Sequence, residues 1–176
     1  GRQILKLRPN PKHIGIAAIT AEGAALAYRM ICIESEKILG KREHPEITLH
    51  SFPFARYFDE GQERIALWSD LIVKSSKKLA EAGAEFFICP ANTNHEVYNF
   101  VYDRIAIPWL HIAEGVIAEI RAKSHNVVGV IGTLYLMNSN VYREYFLKEG
   151  VRYILPTEAD QQEIHRIIYE ELVSGI

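Results

Sequence analysis

Cysteine is scarce in this chain: Cys32 and Cys89 are the only two. That number excludes a disulfide scaffold and fits a reducing compartment, so a cytoplasmic location is expected. Long hydrophobic runs are missing too, and no stretch approaches the length of a membrane span. The basic first stretch, Gly1 to Asn10, has no long apolar region or cleavage signal, and residues 1–11 read as a leader or extension. Charge of one sign is also lacking. The formal net charge is −2, so neither nucleic acid nor an anionic membrane surface is indicated as a partner. No Gly-x-Gly-x-x-Gly follows the first strand, and no phosphate-loop lysine pattern or metal-ligand cluster appears; no cofactor and no metal are expected.

What remains is ordinary for a globular protein. Of 176 residues, 48% are apolar and 24% charged, enough for one sizeable core or two small lobes. Strand patterns alternate with helix patterns. Ile14–Ala18 reads as a short buried strand, and a helix follows from Thr20 to about Leu39, stopped by Gly40. Ile47–Ser51 is a second strand, and Phe52 to Phe58 a loop. Ile65, Trp68, Ile72, Ser75 and Leu79 form a helical stripe that ends at Gly83. The apolar run from Phe86 is a third strand, with a helix after it to about Arg104. Ile107–Ile112 reads as a fourth strand with Pro108 at an edge or strand-start position, Ala113 to Lys123 as a helix, and Val127–Ile131 as a fifth strand. This order predicts an α/β protein with parallel sheets flanked by helices. Ligands of such sheets bind beyond the carboxyl ends of the strands. Thr20, Ser51, Ala91-Asn92-Thr93 and Thr133 fall at such ends, with His95 and His111 near them. Both histidines also suit capping or core positions, and that reading is favoured for His111.

The most informative stretch runs from Phe86 to Glu96. A buried strand ends at Pro90, and Thr93 and Glu96 have the spacing of a capping box, which predicts a helix with Thr93 as its N-cap. Its free N–H groups would suit a carboxylate or phosphate, although an ordinary strand-to-helix turn has the same spacing. Pro90-Ala91-Asn92-Thr93-Asn94-His95 resembles the Pro-Cys-Asn-Thr-x-His segment of the aspartate/glutamate racemase family. Cys89-Pro90 is similar to a subgroup with Cys-Pro-Asp-Asn-Thr-x-His, and Ala21-Glu22-Gly23-Ala24-Ala25 also matches that subgroup. Family members usually carry Gly-Gly where this chain has Ala17-Ala18, and a Cys or Lys where it has Val173.

The resemblance implies a cofactor-independent racemase that moves the Cα proton of aspartate, glutamate or a related amino acid, on a pseudo-duplicated two-lobe fold. Family members are commonly dimers, so a homodimer is a candidate assembly. The chain carries a degenerate repeat in keeping with this plan: His13 to Thr20 resembles Val127 to Thr133, and each is followed by helix, strand, helix. The second helices read as roughly Ser139 to Lys148 and Glu158 to Ser174, around a strand at Val151–Leu155. A first lobe over 12–112 and a second over 113–176 are expected. The repeat's counterpart of the Ala91 loop would fall beyond Ile176, so the second lobe is expected to be incomplete and to lack the family's second catalytic cysteine.

A racemase of this kind needs two acid/base groups on opposite faces of Cα, and donors for the carboxylate on which charge develops. By resemblance Ala91 stands at the first acid/base position, which is vacant because a methyl group neither takes nor gives a proton. Asn92, Thr93 and Thr133 would hold the carboxylate, with Thr20 beside them. Arg56 is the candidate for gripping a substrate carboxylate, or else a solvated surface arginine. Cys89 is a candidate substitute base, or a buried structural cysteine; His95 is a supporting residue. Three explanations of Ala91 stay open: an engineered change, a natural one-base decarboxylase or isomerase, and a protein that binds a carboxylate or amino acid without chemistry. A flavodoxin-like regulatory domain has only the fold in its favour.

Overall fold

The computed structural model describes residues 10–58 and 63–176. Most of the leader stretch lies outside them; Asn10 and Pro11 are exposed coil. Ile14–Ala18 forms β1, the central strand, because it is the most continuously apolar stretch near the start: Ile16, Ala17 and Ala18 are all buried. It pairs in parallel with β2 (Ile47–Ser51) on one side and β3 (Phe86–Ile88) on the other, with Ile16 opposite Leu49 and Ile88. Gly15 permits this. A Cβ there would stand 3.0 Å from the Phe87 Cβ and 3.2 Å from the Phe86 carbonyl oxygen.

Helix α1 (Ala21–Leu39) returns from β1 to β2, and Gly40 ends it with a positive φ of 113°. The loop expected at 52–58 contains a turn of 3-10 helix over Phe54–Phe58. Helix α2 (Arg64–Glu81) begins where the Glu63 carboxylate accepts from the N–H groups of Ile65 and Ala66. Its stripe of Trp68, Leu71, Ile72, Ser75 and Leu79 is buried in the main core with Phe87, Val97, Val101 and Trp109 around it. Fully burying an apolar side chain of this kind contributes about 1.5–3 kcal/mol. The one hydroxyl on the inner stripe, that of Ser75, meets His50 Nδ1 at 3.0 Å.

Beyond β3 the chain departs from expectation. Asn92–Val97 is 3-10 helix, followed by the short α3 (Tyr98–Val101), and no helix continues to Arg104. The capping box does not form, because both of its side chains are engaged elsewhere: the Thr93 hydroxyl bonds to that of Thr133, and the Glu96 carboxylate pairs with Arg64. The fourth strand reduces to an isolated parallel bridge between Phe87 and Trp109. Pro108 supplies no N–H there, and the next turn already belongs to α4 (Ile112–Ala122), N-capped by His111.

The second sheet has two parallel strands, β4 (Val127–Gly129) and β5 (Arg152–Ile154). Between them the helix expected over 139–148 is two pieces, α5 (Leu134–Met137) and α6 (Arg143–Glu149). The Thr133 side chain caps α5 and so starts it earlier, while the Asn138 and Ser139 side chains donate back to the Leu134 and Leu136 carbonyls and end it. Helix α7 (Glu158–Glu170) follows, then a 3-10 turn over Leu172–Ser174. Among the described residues no helix is long and apolar enough to cross a membrane.

Candidate functional site

The carboxyl ends of the strands open onto a cavity of about 580 Å3. Ile19 and Thr20 reach it from the end of β1, and Glu22, Gly23 and Leu26 from the first turns of α1. Ala91, Asn92, Thr93 and Asn94 form the wall after β3; Gly132, Thr133 and Leu136 form the wall after β4. Thus the two stretches that resemble each other in sequence meet across one space.

The wall after β3 and the wall after β4 are joined by a hydrogen bond, 2.8 Å long, between the hydroxyls of Thr93 and Thr133. Thr133 is buried and also caps α5 by accepting from the Leu136 N–H. Asn92 is tied to the same side, its Oδ1 accepting from the Tyr142 hydroxyl. On the α1 side the approach is backbone to backbone: a Cβ on Gly23 would lie 3.0 Å from the Pro90 carbonyl oxygen and 3.0 Å from Thr20 Oγ1. Thr20 occupies the N-cap position of α1 without a side-chain cap bond, so capping leaves its hydroxyl uncommitted.

Of the expected site residues, Thr20, Ala91, Asn92, Thr93 and Thr133 are brought together on this cavity. Three are not. Arg56 is exposed and its guanidinium lies over the Phe52 ring, 4.8 Å from the centroid, outside the wall. Cys89 is buried in the main core and borders a separate recess with Pro90, Leu110 and His111. Burial pushes its thiol pKa up to about 12, only partly offset by the Ala91 backbone N–H. His95 sits beneath the wall. Its Nε2–H donates to the Cys89 carbonyl at 3.0 Å, and its Nδ1 accepts from the Ile112 N–H at 3.4 Å. Burial depresses its pKa to about 3, so the ring is a neutral strut that fixes the turn after β3. His111 behaves alike: its Nδ1 accepts from the Ala113 N–H, and burial lowers its pKa to about 4.

The structure adds residues that the motif did not signal. Tyr57 and Asn94 line the cavity, are 3% and 4% exposed, and each carries a buried polar atom with no partner, Tyr57 Oη and Asn94 Nδ2. A buried donor without an acceptor is costly, and a ligand oxygen would relieve it. Tyr57 stands one residue from Arg56 in the loop after β2, and Asn94 is the variable position of the Asn-Thr-x-His segment, so position relative to the motif was the one available signal. Burial raises the Tyr57 pKa, which keeps its hydroxyl a donor. The rest of the wall is apolar and aromatic: Phe54, Phe58 and Trp68 on one side, and Tyr169, Leu172 and Val173 from the last helical turns on the other.

Comparison with known proteins places this geometry. The sequence profile of the Asp/Glu/hydantoin racemases matches residues 31–175. The broad-specificity amino-acid racemase RacX of Bacillus subtilis (strain 168) is 27% identical over 126 residues, which are 72% of this chain and 54% of RacX; the match thus spans about half the length of that curated relative. Among solved structures, a candidate Asp/Glu racemase from Yersinia pestis superposes with a TM-score of 0.75 at 31% identity, covering 94% of this chain and 74% of the other. An aspartate racemase homologue from Pyrococcus horikoshii OT3 gives 0.77 at 29% identity, covering 94% and 73%. With the matched profile running from within α1 to the last turn, and so over most of its length, this chain belongs to the Asp/Glu/hydantoin racemase family.

Proposed function

We propose that the cavity receives the carboxylate and Cα of a free amino acid, and that the chain is a cofactor-independent amino-acid racemase whose first proton-transfer position is empty at Ala91. The observation that carries this reading is the Thr93–Thr133 hydroxyl pair at 2.8 Å, which bridges the wall that carries Ala91 to the wall after β4. Two hydroxyls that now satisfy each other can turn to a carboxylate, and the unpartnered Asn94 amide adds a third donor. Donors fixed in that place stabilise the charge that spreads onto the carboxylate when Cα loses its proton. The proton itself needs a base within hydrogen-bond reach. Ala91 offers none, and the Cys89 thiol, away from the cavity and with its pKa near 12, does not replace it.

Deuterium wash-in at Cα, followed by mass spectrometry in heavy water, tests the reading. The chain as it stands is expected to bind an amino acid without exchange, and Ala91→Cys to restore wash-in, by roughly 100-fold or more over the parent. Binding without exchange in Ala91→Cys would favour the rival reading, a non-catalytic amino-acid-binding protein, to which the vacant Ala91 also points. Rapid exchange in the parent would overturn the vacancy.

A further inference from the structure

Two buried polar atoms without a partner, Tyr57 Oη and Asn94 Nδ2, belong to residues of the cavity wall that includes Ala91. The Asn94 amide is accounted for above as a donor to the ligand carboxylate. The Tyr57 hydroxyl is not. A phenylalanine would pack its ring in the same core and leave no donor unsatisfied. Nor can the hydroxyl swing out to water: Tyr57 is 3% exposed, and its carbonyl oxygen is pinned by the Trp68 Nε1–H at 3.0 Å.

The surroundings point to position 91. Ala91 packs against the main core that contains Tyr57, and both residues line the cavity. The Cys89 thiol links them. It receives the Ala91 N–H, and its charge adds to burial in raising the pKa of the Tyr57 hydroxyl. The thiol stays protonated at neutral pH and gives the tyrosine no hydrogen bond. Asn94 closes the same turn, its N–H donating to the Ala91 carbonyl at 3.2 Å. Both idle donors lack an acceptor, and the methyl group of Ala91 is none.

We infer that Tyr57 is a positioning residue for the side chain at position 91: its hydroxyl is placed to donate to an acceptor there, and Ala91 leaves that donor idle. The inference rests on the reading of Ala91 as the vacated proton-transfer position. It adds that the space around the vacancy is still cut for a polar side chain. A donor so placed favours the ionised form of a thiol, which lowers its pKa and readies it to take a proton.

Two measurements without ligand test it. The first is urea denaturation of Tyr57→Phe, Ala91→Ser and the pair, as a double-mutant cycle. Tyr57→Phe alone should leave the midpoint unchanged or raise it, since it deletes an unpaired buried hydroxyl; beside Ala91→Ser it should lower the midpoint. The second uses Ala91→Cys together with Cys32→Ser, because Cys32 is free and half-buried whereas Cys89 is buried and resists ionisation. The pH dependence of iodoacetamide labelling reads the pKa of the introduced thiol. Adding Tyr57→Phe should raise it by about one unit, a roughly tenfold loss of thiolate at neutral pH. An equal midpoint shift with Ala91 and with Ala91→Ser, or an unmoved labelling profile, overturns the inference; a tyrosine that only packs would give both. Such a failure leaves the amino-acid-binding reading standing, because no ligand is involved. Couplings found as expected, with no wash-in in Ala91→Cys, would instead count against the racemase reading alone.

Discussion

The two sheets follow one plan and differ in what covers them. In the first, β1 has a strand on each side, and the core it shares with α2 contains Ile72, Leu79, Phe87, Val97 and Val101, all 0% exposed. In the second, β4 has one described neighbour, only Ile117, Ile120 and Phe146 are buried at the centre of its cluster, and α7 has no buried residue. Apolar side chains are not what the second half lacks: Ile131, Leu147 and Ile154 are present and exposed. The same strand-and-helix alphabet gives a deep core only where elements close both sides of a strand, because burial is a property of the neighbours and not of the residue.

The largest effect should come from breaking the two cores at matched residues. Phe87→Ala and Phe146→Ala remove similar rings, but Phe87 stacks on Trp109 at 5.5 Å in a sealed core, whereas Phe146 lies between Tyr142 and Tyr153 in a looser shell. Phe87→Ala is expected to cost about 3–5 kcal/mol in urea denaturation, and Phe146→Ala distinctly less, because its surroundings can collapse into the space. Equal costs would contradict the comparison.

Acid should act next, at the contact between the halves. His111 touches both: its ring is edge-on to Tyr98 and stacked on Tyr145 of α6 at 4.8 Å. With folded pKa values of about 4 for His111 and about 3 for His95, against 6.5 for a free histidine, the unfolded chain binds more protons as the pH falls. Stability from the neutral rings is therefore full above pH 6.5 and is lost as the pH drops toward 4, by up to about 1.4 kcal/mol per pH unit for each ring. His111→Asn keeps an N-cap side chain and removes one titration, so its denaturation midpoint should fall less steeply with acid than that of the parent.

A smaller loss is expected for Arg64→Gln. The guanidinium joins Glu96 and Trp68 of the first half to Tyr135 of the second. Losing the partly exposed pair and the stacking should cost about 1–2 kcal/mol, with less of it at high salt. Smallest of all is the hydroxyl bridge. Thr93→Val removes one hydrogen bond, about 1 kcal/mol or less, whereas Thr133→Val also uncaps α5 and should cost more in the same assay.

Much of this was readable in advance where local chemistry is decisive. β1, β2 and the end of α1 at Gly40 coincide with the boundaries expected from sequence, because a buried apolar run, a helical stripe and a stop glycine each act within a few residues. The site was half legible. Ala91, Asn92, Thr93 and Thr133 were marked by a motif and a repeat. Glu22 and Asn94 stood inside matching segments without a role assigned to them, and Tyr57 and Tyr169 were not marked at all, since they reach the cavity only through tertiary packing. Thr93 and Glu96 show how the remaining error arose. Their spacing satisfies a local rule, but each found a partner far along the chain, Thr133 and Arg64, and the helix start moved accordingly.

Gly23 sets a limit on how such a pocket can diversify. Its contact with the Pro90 carbonyl is between backbones, so any larger residue there must push α1 away from the Ala91 wall. Leu172, Val173 and Ile176 line the cavity from outside the sheets, so their side chains can be exchanged without moving a strand. Inheritance of the inner wall and experiment at the rim is the expected history of this cavity: descendants should differ in which side chain they admit long before they differ in how they grip the carboxylate.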